Sequence, residues 1–106
     1  MDGKLIGKRI RSERKKKSMR QEDLAELTNK SVTYIGMIER GERIPGLPTF
    51  IEIVNALDTT ADEILCDFTN NGYKVRFSKY SEQIDKLNTK KKKALYEIVE
   101  AYLKNQ

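Results

Sequence analysis

At 106 residues with 38% hydrophobic content, the chain can bury one modest core and carry an appendage, but two independent domains would each be too small. The single cysteine, Cys66, excludes an internal disulfide, and the absence of histidine excludes a cysteine-and-histidine zinc site. The net charge of +5 is unevenly placed, with nine Lys or Arg against two acids in residues 1–20, a distribution that suits a phosphate-rich partner.

No segment approaches the roughly 20 apolar residues that span a bilayer. The start, Met1-Asp2-Gly3-Lys4, lacks the apolar run of a secretory signal, so a cytoplasmic chain with no membrane partner is expected. Catalytic residues, metal and cofactors are not expected either. There is no histidine, no glycine-rich phosphate loop, no serine elbow and no metal-ligand spacing.

Leu5, Ile6 and Ile10, at helical spacing among basic residues, predict a first amphipathic helix over residues 4–17. Its closing run, Arg14-Lys15-Lys16-Lys17, reads either as a solvated end complementing the helix dipole or as part of a phosphate-binding surface. Residues 20–28 and 31–40 predict two short helices across a tight turn, with Leu24, Leu27, Ile35 and Ile38 as their apolar stripes and Ala25 permitting close approach. Asn29 tolerates the positive φ such a turn requires, Ser31 is a good N-cap, and Gly41 suits a left-handed helix end.

Beyond the loop Ile44-Pro45-Gly46-Leu47-Pro48, the residues Phe50, Ile51, Ile53, Val54 and Leu57 predict a helix apolar nearly all round, the core pillar. Thr60-Ala61-Asp62-Glu63 is a capping box opening a short fifth helix that carries Ile64 and Leu65 inward, with Cys66 a buried helix residue. A first domain is therefore expected over residues 1–67. Residues 68–78, around Asn70-Asn71-Gly72, read as a turn-bearing linker or two short extended pieces.

Within a C-terminal segment over residues 79–106, Tyr80, Ile84 and Leu87 predict a short helix. Thr89 then caps a last one bearing Leu95, Ile98, Val99, Tyr102 and Leu103. The fold class expected is all-α, five helices followed by a helical hairpin. The last stripe exceeds what a five-helix core needs, so the hairpin either dimerises or folds back on its own domain. Lys90-Lys91-Lys92-Lys93 opposes the dipole at that helix's start and reads as a solvated run or a second contact for a phosphate-rich partner.

From about Ile6 to Leu65 the chain resembles the small helix-turn-helix regulators of the lambda repressor and Cro type. The matching residues are Arg14, then Gln21-Glu22-x-Leu24-Ala25, then Tyr34-Ile35-x-x-Ile38-Glu39-x-Gly41, then Pro45, then Glu63-Ile64-Leu65. The resemblance implies double-stranded DNA as partner, base contacts from Val32, Thr33 and Met37, and phosphate contacts from Arg20, Gln21, Ser31, Tyr34, Arg40 and Arg43. It also implies a structural clamp between Arg14 and Glu39. Tyr34 has a second reading, its ring simply packing against the second helix.

Two residues depart from the family pattern. Arg20 stands where Ser or Thr usually caps the second helix, so either a phosphate meets it or Ser18 caps one residue early. Gly36 interrupts the reading helix at a cost of roughly 0.5–1 kcal/mol, either to allow close approach or as a slack position. Because Val32, Thr33 and Met37 lack the bidentate readers Arg, Lys, Asn and Gln, A·T-rich half-sites and DNA shape are expected to carry discrimination. The function implied is a homodimeric, sequence-specific repressor reading the major groove. A protein-interaction module of antitoxin type, with DNA binding secondary, is the alternative.

Overall fold

The computed structural model describes residues 1–106 and is built of helices alone: α1 Gly3–Lys16, α2 Gln21–Thr28, α3 Val32–Glu39, α4 Leu47–Ala56, α5 Ala61–Leu65, α6 Gly72–Asp85 and α7 Thr89–Lys104. Two compact units divide it, Met1–Tyr73 and Lys74–Gln106.

In the first unit, helix ends follow local chemistry. Asp2 caps α1 by accepting from the Lys4 N–H at 2.9 Å, and Ser31 and Thr60 do the same for α3 and α5 through the N–H groups of Tyr34 and Glu63. Asn29 takes the left-handed conformation at φ 54° between α2 and α3, and Gly41 does so at φ 79° after α3. The Ser18 cap expected as one way of opening α2 does not form. Arg20 is its N-cap and Ser18 is a left-handed turn residue at φ 57° with no capping role. An arginine side chain offers no acceptor, so the cap runs in reverse, the Asp23 carboxylate accepting from the Arg20 backbone N–H at 2.8 Å.

These helices close over Ile10, Leu24, Ile35, Ile38, Ile53, Leu57 and Ile64, all fully buried, with Ile6, Ala25, Phe50 and Val54 completing the core. The pillar role of α4 holds, but Ile51 faces solvent, as do Leu5 and, at 60% exposure, Leu27. Each lies on the outer side of a helix whose inner stripe is already filled. α1 crosses α3 closely because Gly7 lacks a side chain: a Cβ there would collide with the carbonyl oxygens of Ile38 and Glu39. Arg9 ties α1 to the end of α5 through a bidentate pair with Asp67 at 2.8 and 2.9 Å.

The expected linker over 68–78 is mostly helix. α6 begins at Gly72, so only the turns before it remain irregular, and the Asn70-Asn71-Gly72 signal marks a helix start rather than a linker centre. In the second unit the last helix is capped by Asn88, whose side chain accepts from the Lys91 N–H at 2.8 Å, and Thr89 is its first helical residue. α6 and α7 are joined by residues 86–88 but do not pack as a closed hairpin. α7 has no buried residue, and Ile98, Val99, Tyr102 and Leu103 are exposed. No helix is long and apolar enough to cross a membrane.

Candidate nucleic-acid interface

α2 and α3 meet across the three residues 29–31, braced from behind by α1 and α4. The brace centres on a buried ion pair. Arg14 Nε donates to Glu39 Oε2 at 2.7 Å and Arg14 Nη2 to Oε1 at 3.1 Å, with the two side chains only 9% and 2% exposed. Arg14 Nη1 donates further to the Met19 carbonyl at 2.7 Å. The hydrogen bonds to Glu39 raise the Arg14 pKa above its ordinary value, so the guanidinium stays charged. The expected clamp is therefore in place and joins α1, the turn after it and the end of α3.

With Ile35 and Ile38 turned inward, α3 presents Val32 and Thr33 to solvent and Met37 half-buried beside them. The Ser31 hydroxyl, engaged as acceptor in the cap, retains its hydrogen for an outside acceptor. Tyr34 is half-buried against the core, so its ring packs, and the Arg43 guanidinium lies over that ring at 5.5 Å from the centroid. Arg20 projects to solvent, its Nη2 3.5 Å from Asp23 Oδ1.

Gln21 does not simply point outward. Its Nε2 donates to Glu39 Oε1 at 3.1 Å, leaving one amide hydrogen and the amide oxygen uncommitted. Together with Arg11, Arg14, Glu39 and Arg40 it lines a concavity of roughly 440 Å³ at the start of α2. Arg11 was missed by the sequence reading. Its position on the same face as Arg14, one helical turn earlier, was the available signal. Arg40 pairs with Glu42, donating from Nε at 3.0 Å and Nη2 at 3.2 Å, contacts that hold the Glu42 carboxyl below its usual range.

Two short helices set across a left-handed turn, the second capped and outward-facing, with a buried Arg–Glu clamp behind, define a helix-turn-helix unit. The family model described as Helix-turn-helix matches residues 10–64, and the chain belongs to that family of DNA-binding transcription regulators. Among its relatives, the chain is 38% identical over 64 residues to the uncharacterized HTH-type transcriptional regulator YazB of Bacillus subtilis (strain 168), covering 60% of this chain and 93% of the relative. It is 38% identical over 61 residues to the control protein C.SmaI of Serratia marcescens, covering 58% of this chain and 73% of the other. The crystal structure of the restriction-modification controller protein C.AhdI from Aeromonas hydrophila superposes with a TM-score of 0.57 at 35% identity, over 59% of this chain and 96% of that one. The family match ends before α6 and α7.

Proposed function

We propose that the chain is a homodimeric, sequence-specific transcriptional repressor that lays α3 in the major groove and acts by occupying a promoter. The observation that carries this reading is the outward face of α3: Val32 and Thr33 exposed at the start of a helix whose other side is locked to α1 by Arg14 and Glu39. A rigidly held helix with open side chains at its N-terminal end is what groove reading requires. Thr33 supplies a hydrogen-bonding hydroxyl, and Val32 and Met37 supply apolar contact for thymine methyl groups.

Around α3 the phosphate contacts fall to Arg20, Gln21, Ser31, Tyr34, Arg40 and Arg43, with Arg11 added from the concavity it shares with Gln21 and Arg40. The second copy is supplied through α7, whose exposed Ile98, Val99, Tyr102 and Leu103 form an apolar face that water alone would disfavour. Two copies would present their reading helices about one DNA turn, roughly 34 Å, apart on a pseudo-palindromic operator. The relatives named as a transcriptional regulator and as control proteins support this class of activity.

The same bare α7 face favours one second reading, an antitoxin-like module whose tail wraps a protein partner. Sedimentation of the purified full-length chain, alongside selection of bound fragments from a random duplex pool, separates the two. A folded dimer that enriches a two-fold symmetric site supports the repressor. A monomer that enriches no sequence overturns it.

A further inference from the structure

α6 and α7 each keep an uncovered apolar side, and the two sides differ in width. At about 100° per residue, Tyr73, Phe77, Tyr80 and Ile84 fall within about 60° of the surface of α6, a single narrow seam at coiled-coil spacing. On α7, Leu95, Ile98, Val99, Tyr102 and Leu103 spread over about 140°. That arc holds two adjacent rows, one of Leu95, Ile98 and Tyr102 and the other of Val99 and Leu103. Beside the turn, Ile84 and Leu95 are half-buried, while farther out Phe77 stands 66% exposed, Tyr80 52%, Ile98 67% and Tyr102 69%.

A seam as narrow as that of α6 covers one row. Were α6 to close fully on the α7 of its own chain, the other row would stay in water, so a second α6 is needed to cover the arc. Area points the same way. The exposed parts of Ile98, Val99, Tyr102 and Leu103 come to roughly 400 Å², about half of the roughly 800 Å² that each partner brings to a standard interface. Tyr73, Phe77 and Tyr80 are each more than half exposed, and aromatic rings hide about 150–250 Å² apiece when fully covered, which makes up the shortfall.

Charge sets the direction of packing. α6 runs from Lys74 to Glu82 and Asp85, and α7 from Lys90-Lys91-Lys92-Lys93 to Glu97 and Glu100, with Lys104 alone against the trend. Antiparallel, the basic start of each helix lies beside the acidic end of the other, whereas parallel packing sets like charges together. We propose that a second copy of this chain covers both stripes, its α6 lying antiparallel on α7 so that each α7 sits between its own α6 and its partner's. The subunit contact is thus a bundle of four helices in which the aromatic seam of α6 takes part. This arrangement rests on the homodimer proposed above and extends its contact from one helix to two.

Sedimentation of the full-length chain and of Phe77→Glu with Tyr80→Glu tests it. The unmodified chain should sediment as a dimer and the α6 variant at the mass of one chain, with its helical circular dichroism retained because both side chains are exposed. Phe77→Leu with Tyr80→Leu, which keeps the seam apolar, should remain dimeric. A chain carrying Ile98→Lys with Leu103→Lys, one change in each row of α7, should also sediment alone. Mixed in equal amounts, the α6-Glu and α7-Lys chains should form a dimer holding one of each, read by native mass spectrometry.

A dimer that survives Phe77→Glu with Tyr80→Glu would overturn the proposal while leaving a dimer through α7 standing. Absence of the mixed dimer would overturn it too, since α6 would then not touch the second copy's α7. An unmodified chain that sediments alone ends the homodimer reading itself, a result visible before any variant is compared.

Discussion

Gln21 and Arg14 donate to the same oxygen, Oε1 of Glu39, so one buried carboxylate joins the start of α2, the end of α1 and the end of α3. Glu39 is thereby the joint of the DNA-binding unit rather than a reactive group. Glu39→Ala should cost about 3–5 kcal/mol, because it strands the Arg14 guanidinium in a nearly dry site. Replacing the pair together, Arg14→Met with Glu39→Leu, should recover most of that loss. Urea unfolding of the three variants checks both statements.

Asp23 gives the fold an acid sensitivity with a defined sign. The Arg20 backbone N–H first, and the Arg20 side chain second, hold its carboxyl below the ordinary aspartate value of about 3.9. Its contribution is therefore complete above that ordinary value and is lost as pH falls through the lower folded value. Asp23→Asn should reduce stability at neutral pH and flatten this part of the acid limb. Urea midpoints of both proteins between about pH 2 and 6 would show it.

Gly7 permits no side chain. Gly7→Ala pushes a methyl group into the Ile38 and Glu39 carbonyls at the crossing of α1 and α3, which should destabilise by about 1–3 kcal/mol and move α3 relative to its brace. DNA affinity measured well below the variant's melting temperature should fall along with stability.

Phosphate and base contacts should separate cleanly. Arg43→Ala should weaken binding to all duplexes alike and lower the salt slope by about one, while Gln21→Ala weakens all duplexes with a smaller change in slope. Thr33→Ala should instead alter the preferred sequence. Titrations on matched and scrambled duplexes at several salt concentrations distinguish the two behaviours.

For α7, Ile98→Glu together with Leu103→Glu should leave the helical content intact, since both residues are exposed in the isolated chain. The sedimenting mass should drop to that of one chain, and affinity for a two-half-site duplex should fall far more than affinity for a single half-site. Retention of the dimer would move the subunit contact elsewhere.

Periodicity and caps made the first unit legible. Ile6, Ile10, Leu24, Ile35 and Ile38 repeat at helical spacing, and Ser31, Asn29, Thr60 and Gly41 terminate or join helices through local hydrogen bonds and backbone preference. What was illegible depended on contacts between distant residues. Leu27 looks like core until α4 and α3 have filled the inner side of α2, and the role of Gly7 exists only where α3 passes over it. The reversed cap at Arg20 was hidden because the rule looks for an acceptor at the cap position, not three residues on. Asn70-Asn71-Gly72 reads as a breaker, yet a glycine can open a helix as easily as interrupt one. In the site, the Arg14–Glu39 clamp came from the family pattern, whereas Arg11 in the concavity and the pairing of Arg40 with Glu42 required side-chain positions.

Cys66, the lone thiol in the chain, ends α5 at 5% exposure, close under the backbone turn that leads to Gly72. Buried thiols react with alkylating reagents only when the surrounding structure opens. The native protein thus carries its own single-site clock: the rate at which iodoacetamide labels Cys66 reports how often the end of α5 comes undone, and any slowing of that rate on adding DNA would measure how tightly the ligand holds the fold shut.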